Sequence, residues 1–266
     1  MDNYYHKDPS IFYITENILG TEESSLEYED QIQNFNSQLT NHCNCLLCAD
    51  DCPCLQSCGL NYSVSNDEFK TKIILNEKAV KDYVIVECND FCTCSNSCAN
   101  RVVQMGPCKG LYVLNCKEKG LGLFTSQIIL KGSFICEYAG EIITNREARR
   151  RDLLNRLNNK MNYIFCLNEI VGHKKIQTYI DPSLFGNIGR YINHSCDSNS
   201  FILPVRVNSP IPKLSIFSSS VIYPDTEITF DYGMNYFNET KEGMENRKIC
   251  YCNSQKCRGF LPCTDF

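Results

Sequence analysis

CNCLLCADDCPC at residues 43–54 and CNDFCTCSNSC at residues 88–98 hold nine of the nineteen cysteines in this chain. Such crowded thiols are typical of metal ligands, because a short turn can present two sulfurs to one tetrahedral zinc ion. Nine thiolates fill the ligand positions of three zinc ions if three of the thiolates each bridge two metals. The sequence therefore predicts a three-zinc cluster with the ligands Cys43, Cys45, Cys48, Cys52, Cys54, Cys88, Cys92, Cys94 and Cys98.

A disulfide framework of a secreted protein is the alternative for these thiols. The N-terminus shows neither a signal-peptide pattern nor a long apolar run, so we expect a soluble intracellular protein in a reducing compartment. Cys58 lies outside the pattern, and we interpret it as a buried free thiol.

The length and the charge limit the possible functions. A chain of 266 residues has room for one catalytic domain with small zinc modules attached. Its formal net charge of -5 argues against a protein whose main role is to bind nucleic-acid phosphate, and it is compatible with a basic partner.

Local patterns predict a mainly β chain with few helices. Short runs rich in β-formers predict strands at residues 111–114, 121–124, 133–138 and 213–217. Residues 1–40 are polar and acidic, and we expect loop there, except that residues 11–14 can dock on a core. Residues 61–81 read as a polar insertion within the cysteine module.

One helix is predicted over residues 146–158, with Thr144 or Asn145 as its N-cap. Its expected apolar stripe consists of Ala148, Leu153, Leu154 and Leu157. The other face is basic, through Arg146, Arg149, Arg150, Arg151 and Arg156. A solvated surface is the simpler interpretation of that face, and contact with an acidic partner such as DNA is the alternative.

A second cysteine group, Cys250, Cys252 and Cys257, lies near the C-terminus. Three thiolates leave a tetrahedral zinc ion one ligand short, and Cys196, in a loop of polar turn residues, is the candidate for the fourth. The tail would then fold back over that loop. A Cys257–Cys263 pair or an unstructured tail is the alternative.

These motifs resemble the SET-domain protein lysine methyltransferases. The nine-cysteine module is followed in order by KGLG at 119–122, FICEYAGE at 134–141, GRYINHSC at 189–196, FDYG at 230–233 and the cysteine triplet. The likeness is greatest to members whose SET portion is fused to a mariner transposase. It implies a SET-domain β-fold of short strands with knotted-like threading, flanked by a three-zinc pre-SET cluster and a one-zinc post-SET module. The expected segments are an N-terminal arm (1–40), pre-SET (41–106), SET (107–233) and post-SET (234–266).

The resemblance implies that S-adenosylmethionine is the methyl donor. Its expected binding residues are Lys119, Gly120, Leu121, Tyr163, Arg190, Asn193 and His194. Tyr232 is the expected catalytic tyrosine, and Tyr138 is expected to line the same lysine channel. Family members with tyrosine at the position of Phe230 hold a water that hinders further methylation, so phenylalanine predicts a dimethyl or trimethyl product.

The implied substrate is the histone H3 tail or the nucleosome, with lysine nine favoured over lysine thirty-six. The expected location is the nucleus and the chromosome, with no membrane association and with weak or indirect DNA binding. A catalytically inactive zinc-bearing chromatin interaction module is the alternative. It is less favoured because Tyr232, His194 and Cys257 are all intact.

Overall fold

The computed structural model describes residue 6 and residues 8–49, 51–55, 60–67, 70–76, 85–171, 173–233 and 248–262. The helices among them are α1 (Leu26–Asn36) and α2 (Asn145–Leu157), with short 3-10 turns at Val103–Met105, Lys117–Lys119 and Ile188–Tyr191. The strands are β1 (Phe12–Tyr13), β2 (Ile18–Leu19), β3 (Tyr62–Asp67), β4 (Lys70–Leu75), β5 (Ile85–Val86), β6 (Leu111–Asn115), β7 (Leu121–Thr125), β8 (Phe134–Glu137), β9 (Glu141–Ile143), β10 (Phe165–Val171), β11 (Lys174–Asp181), β12 (Phe185–Gly186), β13 (Asn193–His194), β14 (Ser200–Arg206), β15 (Lys213–Ser218) and β16 (Glu227–Phe230).

Two sheets form the frame of the molecule. The larger runs in the order β6-β7-β16-β14-β15-β8, and the smaller runs in the order β10-β11-β9-β2. The four strands predicted from the sequence are confirmed as β6, β7, β8 and β15. The short strand β13 pairs with β16 in parallel, with His194 opposite Phe230, so two motifs far apart in sequence lie side by side.

The core between the sheets is aliphatic. Ile135, Leu214, Ile216 and Ile228 are fully buried there. These residues come from β8, β15 and β16, so the core holds in place the strand that leads into Asp231 and Tyr232. Burial of this kind is the dominant favourable contribution to folding.

The expectation of a simple polar insertion at residues 61–81 is wrong where the structure describes it. Strands β3 and β4 form an antiparallel hairpin there. Tyr62 is buried and its hydroxyl donates to Glu87, while the backbone N–H of Leu75 donates to Gly132. Tyr62 and Leu75 are paired across the hairpin and are both buried, so this end of the hairpin packs into an apolar cluster although most of its residues are polar. Cys58 and Cys263 lie outside the described residues.

The N-terminal arm is more ordered than the sequence predicted. β1 pairs with β12, which confirms that residues 11–14 dock. Residues 26–36, expected to be loop, form α1, which begins at the N-cap Ser25 and buries only Tyr28. Glu27 of this helix accepts a hydrogen bond from the backbone N–H of Asn145 at the start of α2. A polar helix without an apolar stripe gives little periodic signal.

Helix α2 confirms the predicted position, with Thr144 as N-cap, but the predicted apolar stripe is confirmed only at Ala148, which is fully buried, and is wrong at the three leucines. Leu153 and Leu157 are 57% and 73% exposed, whereas Glu147 is buried. The basic face is not wholly solvated either. The guanidinium of Arg151 is partly buried between carboxylates and bonds to Glu141, Glu147 and Asp181. Ion pairs, more than leucines, attach α2 to the smaller sheet.

No helix within the described residues has the length and apolar character that a membrane crossing requires.

Candidate active site and zinc centres

Four aromatic rings meet where the two sheets adjoin. Phe230 lies in contact range of three of them: its ring centroid is 4.8 Å from Tyr232, 6.1 Å from Tyr138 and 6.2 Å from Phe165. The β13–β16 pairing and the aliphatic core place these rings together. Sequence reasoning named three of them and missed Phe165. Phe165 is the first residue of β10, and the sequence around it does not show which strand it faces.

The two tyrosines of this channel stay protonated. Burial raises the pKa of Tyr232, and the nearby Tyr163 and Glu227 raise it further. Burial, together with Tyr232 and Asp181, also holds the pKa of Tyr138 well above its ordinary value. The Tyr232 hydroxyl donates to the carbonyl of Ile192 at 2.9 Å, so its oxygen lone pairs are available as acceptors.

Two of the residues predicted to bind the cofactor contact a carboxylate that sequence reasoning missed, and a third contacts one of those two. Glu227 pairs with the ammonium of Lys119 and accepts from the side-chain amide of Asn193 at 2.9 Å. The same amide donates to the carbonyl of Leu121 at 3.1 Å. Through these contacts Glu227 fixes the loop that leads into β7 against β13. A single glutamate at the start of a strand has no sequence signature, so sequence reasoning did not identify it.

Glycine is required on both sides of Leu121 in that loop. Gly120 has a φ of +75°, which favours glycine. A Cβ on Gly122 would lie 2.5 Å from the sulfur of Cys116 and 2.9 Å from Glu227. The KGLG sequence thus allows the backbone of this loop to lie close to Cys116 and Glu227.

Arg190 and Tyr163 form a second group. The guanidinium carbon of Arg190 lies 4.7 Å from the Tyr163 ring centroid and 5.0 Å from that of Tyr191. Its Nε donates to the carbonyl of Pro182 at 3.0 Å. The carbonyl of Tyr163 accepts from the Tyr138 hydroxyl at 2.6 Å. Both groups of predicted cofactor residues thus adjoin the aromatic channel.

His194, the remaining predicted cofactor residue, lies between the channel and a cysteine group. Its Nδ1 accepts from the backbone N–H of Tyr232 at 3.2 Å, and its Nε2 lies 3.3 Å from the sulfur of Cys196. Burial lowers the pKa of this imidazole, an effect that Asp231 partly opposes.

The four sulfurs predicted for the C-terminal site come together. Those of Cys196, Cys250, Cys252 and Cys257 all lie within 4.8 Å of one another. The tail segment 248–262 therefore does fold back onto the GRYINHSC loop. The arginine after the triplet, Arg258, reaches Asp231 at 3.0 Å.

The N-terminal cysteines form a larger cluster. Three groups of four sulfurs each lie within 4.8 Å: Cys43 with Cys54, Cys88 and Cys92; Cys43 with Cys45, Cys48 and Cys52; and Cys43 with Cys48, Cys88 and Cys94. Three sulfurs, those of Cys43, Cys48 and Cys88, belong to more than one group. Cys98 is buried in the same cluster, although it belongs to none of these groups within the described part of the chain.

Zinc fits the donor set. Two thiolates on one tetrahedral zinc ion lie about 3.8 Å apart, since each Zn–S bond is about 2.3 Å. The sulfurs of Cys43 and Cys48 are 3.7 Å apart, and those of Cys48 and Cys88 are 3.6 Å apart. Cys196 and Cys250 are 3.9 Å apart. All seventeen cysteines that the structure describes are free thiols.

The thiol pKa values show why such a cluster needs cations. Burial raises the pKa of Cys45 to about 11, and it also raises the pKa values of Cys48 and Cys88. At Cys43 the hydrogen bonds from the Cys45 backbone and the Cys48 thiol outweigh burial and lower the pKa to about 6. Without metal, therefore, the thiols of Cys45, Cys48 and Cys88 hold their protons, and a divalent cation that binds them would displace those protons.

Comparison with known proteins decides the family. The SET domain profile matches residues 120–233, and the Pre-SET motif profile matches residues 1–101. The protein set-23 of Caenorhabditis elegans, a probable histone-lysine N-methyltransferase, is 40% identical over 228 residues, which are 83% of this chain and 86% of that protein. The chain belongs to the SET-domain histone-lysine methyltransferase family. The fold and resemblance expected from the motifs are thereby confirmed.

Other SET-domain relatives extend the comparison. Histone-lysine N-methyltransferase SETMAR of Bos taurus is 42% identical over 186 residues, which are 67% of this chain. The chain spans 60% of the length of that relative and 27% of human SETMAR. The solved methyltransferase domain of human SETMAR superposes with a TM-score of 0.76 at 32% identity, covering 98% of this chain and 92% of that one.

A more distant SET-domain structure contains bound ligands. KRYPTONITE was solved in complex with mCHH DNA, a histone H3(1–15) peptide and SAH. It superposes with a TM-score of 0.69 at 25% identity, covering 95% of this chain and 48% of that one.

Proposed function

We propose that this chain transfers methyl groups from S-adenosylmethionine to a lysine of histone H3, with lysine nine favoured over lysine thirty-six. The proposal assigns residues 41–106, 107–233 and 234–266 to the pre-SET, SET and post-SET units, with three zinc ions in the first and one in the last. The observation that carries it is the channel formed by Tyr138, Phe165, Phe230 and Tyr232, next to the residues expected to bind the cofactor.

An aromatic channel favours the reactive form of the substrate. A lysine side chain has a reference pKa of about 10.4, so only about one in a thousand is neutral near physiological pH, and the ammonium has no lone pair to donate. Burial between four rings removes water from the ammonium and lowers its pKa. The proton leaves to solvent, because Tyr138 and Tyr232 remain protonated and neither acts as the base.

Tyr232 orients the attacking amine. Its own proton is directed at the Ile192 carbonyl, so its oxygen accepts an N–H from the amine and turns the nitrogen lone pair along the channel. S-adenosylmethionine, when bound, supplies the electrophilic methyl group. Backbone at Lys119, Gly120, Leu121 and His194 and the side chains of Tyr163, Arg190 and Asn193 are proposed to hold the cofactor, while Glu227 fixes the position of Asn193.

Phe230 is proposed to set the product state. Its ring is 2% exposed and packs against Tyr232, so the channel has no hydroxyl there to hold a water beside the amine. A methylated amine therefore has room to rotate and react again. This supports a dimethyl or trimethyl product.

A histone substrate is supported by the net charge of -5, which favours a cationic tail, and by the relatives. The peptide in the KRYPTONITE complex covers residues 1–15 of H3 and so contains lysine nine but not lysine thirty-six. Action on chromatin in the nucleus follows from that substrate. The inactive-module reading is less favoured, since the channel and the cysteine groups are assembled together.

The test is to incubate zinc-loaded protein with S-adenosylmethionine and nucleosomes, and to map the methyl groups by tandem mass spectrometry. We expect dimethyl or trimethyl at one H3 lysine and none with Tyr232→Phe. Phe230→Tyr should shift the product to monomethyl. The matched control Phe165→Tyr adds a hydroxyl to a neighbouring ring of the same group and should keep the wild-type product. Cofactor binding without methylation of any histone would point to a non-histone substrate or to the inactive module.

A further inference from the structure

The imidazole of His194 connects two parts of the molecule that have separate roles. On one side, Nδ1 lies 3.2 Å from the backbone nitrogen of Tyr232. On the other, Nε2 lies 3.3 Å from the sulfur of Cys196. The ring is 3% exposed, so water does not substitute for these partners.

The carboxylate of Asp231 also lies 3.7 Å from Nδ1, which is beyond hydrogen-bond distance, so the two closer groups indicate where the ring carries its proton. A backbone N–H can only donate, so Nδ1 must be the unprotonated acceptor. A neutral imidazole then carries its hydrogen on Nε2, which faces Cys196. The geometry therefore places an N–H next to a sulfur that belongs to the four-cysteine group of the tail.

We propose that His194 is a positioning residue that couples the C-terminal zinc site to Tyr232 through its two ring nitrogens. Its Nε2–H donates to the Cys196 thiolate, and its Nδ1 holds the backbone that carries the Tyr232 ring. The inference rests on the proposed function, because it assigns Tyr232 the methyl-transfer role and the four cysteines the zinc.

The local network supports a coupling in both directions. Cys196 also accepts from the backbone N–H of Arg258, whose guanidinium reaches Asp231, the residue before Tyr232. Hydrogen bonds to a metal ligand orient it and tune the metal, and losing one typically changes metal affinity about 10- to 100-fold. Zinc at the tail would thus help to fix Tyr232, and the position of Tyr232 would in turn affect zinc retention.

Two substitutions separate the two hydrogen bonds. Asparagine can place an oxygen near the position of Nδ1 but has no group near Nε2, while glutamine can place an N–H near Nε2 but leaves the Tyr232 N–H unpaired. In the zinc-loaded protein, His194→Asn should release the tail zinc to a chelator about tenfold faster than wild type. His194→Gln should release it near the wild-type rate. Cys257→Ser identifies which zinc-release phase belongs to the tail.

Turnover should follow the opposite order. With zinc and cofactor saturating, His194→Gln should have a kcat about tenfold below that of His194→Asn, because only the glutamine variant leaves the Tyr232 backbone unpaired. Equal rates of zinc release from the two variants would overturn the proposal. So would a result in which one variant both releases zinc faster and has the lower kcat.

The tautomer can be read without any substitution or turnover. The chain has four histidines, so nitrogen chemical shifts in ¹⁵N-histidine-labelled, zinc-loaded protein can be assigned to His194 by comparison with His194→Gln. We expect the Nε2–H tautomer, and an Nδ1–H ring or an imidazolium overturns the proposal. Both this spectrum and zinc release are independent of methyl transfer, so a failed proposed function remains distinguishable from a failed coupling.

Discussion

The pre-SET cysteine region and the SET sheets fold by different means. At residues 41–49, 51–55 and 88–100 the described chain forms turns without strand or helix, and its buried side chains are mostly cysteines. The SET region buries an aliphatic core between hydrogen-bonded strands. The comparison teaches that the first region has a thiol cluster where the second has apolar area, which is the composition of a unit that metal stabilises.

The two regions are joined by strand pairing and by a buried apolar cluster. Strand β5 pairs with β14 of the larger sheet. Beside this pairing, Ile85 and Val103 of the cysteine region pack with Phe134, Val205 and Phe217 of the larger sheet. The cysteine groups lie outside this shared cluster, and substitutions in each region test whether the two can be perturbed separately.

Zinc removal should have the largest effect, and Cys43 is its most sensitive position. Its sulfur belongs to all three groups of the cluster, so Cys43→Ser should lower the zinc content by more than one ion per chain. Structural zinc contributes on the order of 10 kcal/mol to small modules, so the region around it should unfold. Zinc content by plasma emission and hydrogen exchange of residues 41–55 and 85–101 would measure both.

Cys166→Ser is the matched control for this substitution. Cys166 lies in β10 and belongs to none of the four-sulfur groups among the described residues. It should keep the full zinc content. If Cys43→Ser also removed exchange protection from β14 and β15, the two regions would unfold as one unit and the comparison would be wrong.

Truncation of a core side chain should have the reverse effect to Cys43→Ser: it should lower stability and leave the zinc content unchanged. Ile216 is fully buried in β15, and Ile216→Ala should lower the free energy of unfolding by about 2–5 kcal/mol without changing the zinc content. Ile176→Ala in β11, where the side chain is 43% exposed, should cost under about 1 kcal/mol. Urea unfolding and zinc analysis of both proteins test this, and loss of zinc from the Ile216 variant would contradict it.

The sequence predicted the parts of the molecule that have a spacing signature. Cysteine spacing placed the sulfurs of both groups, and β-rich runs placed β6, β7, β8 and β15. It failed where contacts between distant segments decide the outcome. Helix α1 is polar and is attached through Glu27, while Leu153 and Leu157 have helical spacing but face away from the core. Phe165 and Glu227 join the site only through strand pairing, which one sequence does not reveal.

Ion pairs provide a third kind of stabilisation at helix α2, and they should respond to pH. Glu147 pairs with Arg150 and Arg151 of the same helix, and Arg151 also pairs with Glu141 and Asp181 of the smaller sheet. Hydrogen bonds from Arg150, and then from Arg151, lower the pKa of Glu147 to about 2, against an ordinary value of 4.5. Because the folded-state pKa is depressed, the stabilisation is complete above pH 4.5 and is lost as the pH falls toward 2.

Glu147→Gln should therefore reduce stability at neutral pH, by about 1–2 kcal/mol given the exposure of Arg150, and the difference from wild type should vanish near pH 2. Acid also protonates zinc-bound thiolates, but it does so in both proteins, so the difference between their thermal midpoints is the measurement. A difference that stays constant across this range would show that the pairing with Arg150 and Arg151 contributes nothing.

The smallest effect should come from the ion pair that joins the tail to the catalytic motif. Arg258 and Asp231 are 3.0 Å apart but 38% and 28% exposed, and exposed pairs contribute about 0–1 kcal/mol. Arg258→Gln should therefore barely change the urea midpoint, and neither should Lys256→Gln, which removes the tail's pair with Asp197. If the tail depends on its sulfurs, as the pre-SET region does, both variants should retain the tail zinc. Loss of zinc with Arg258→Gln alone would mean that charge, rather than metal, holds the tail over the site.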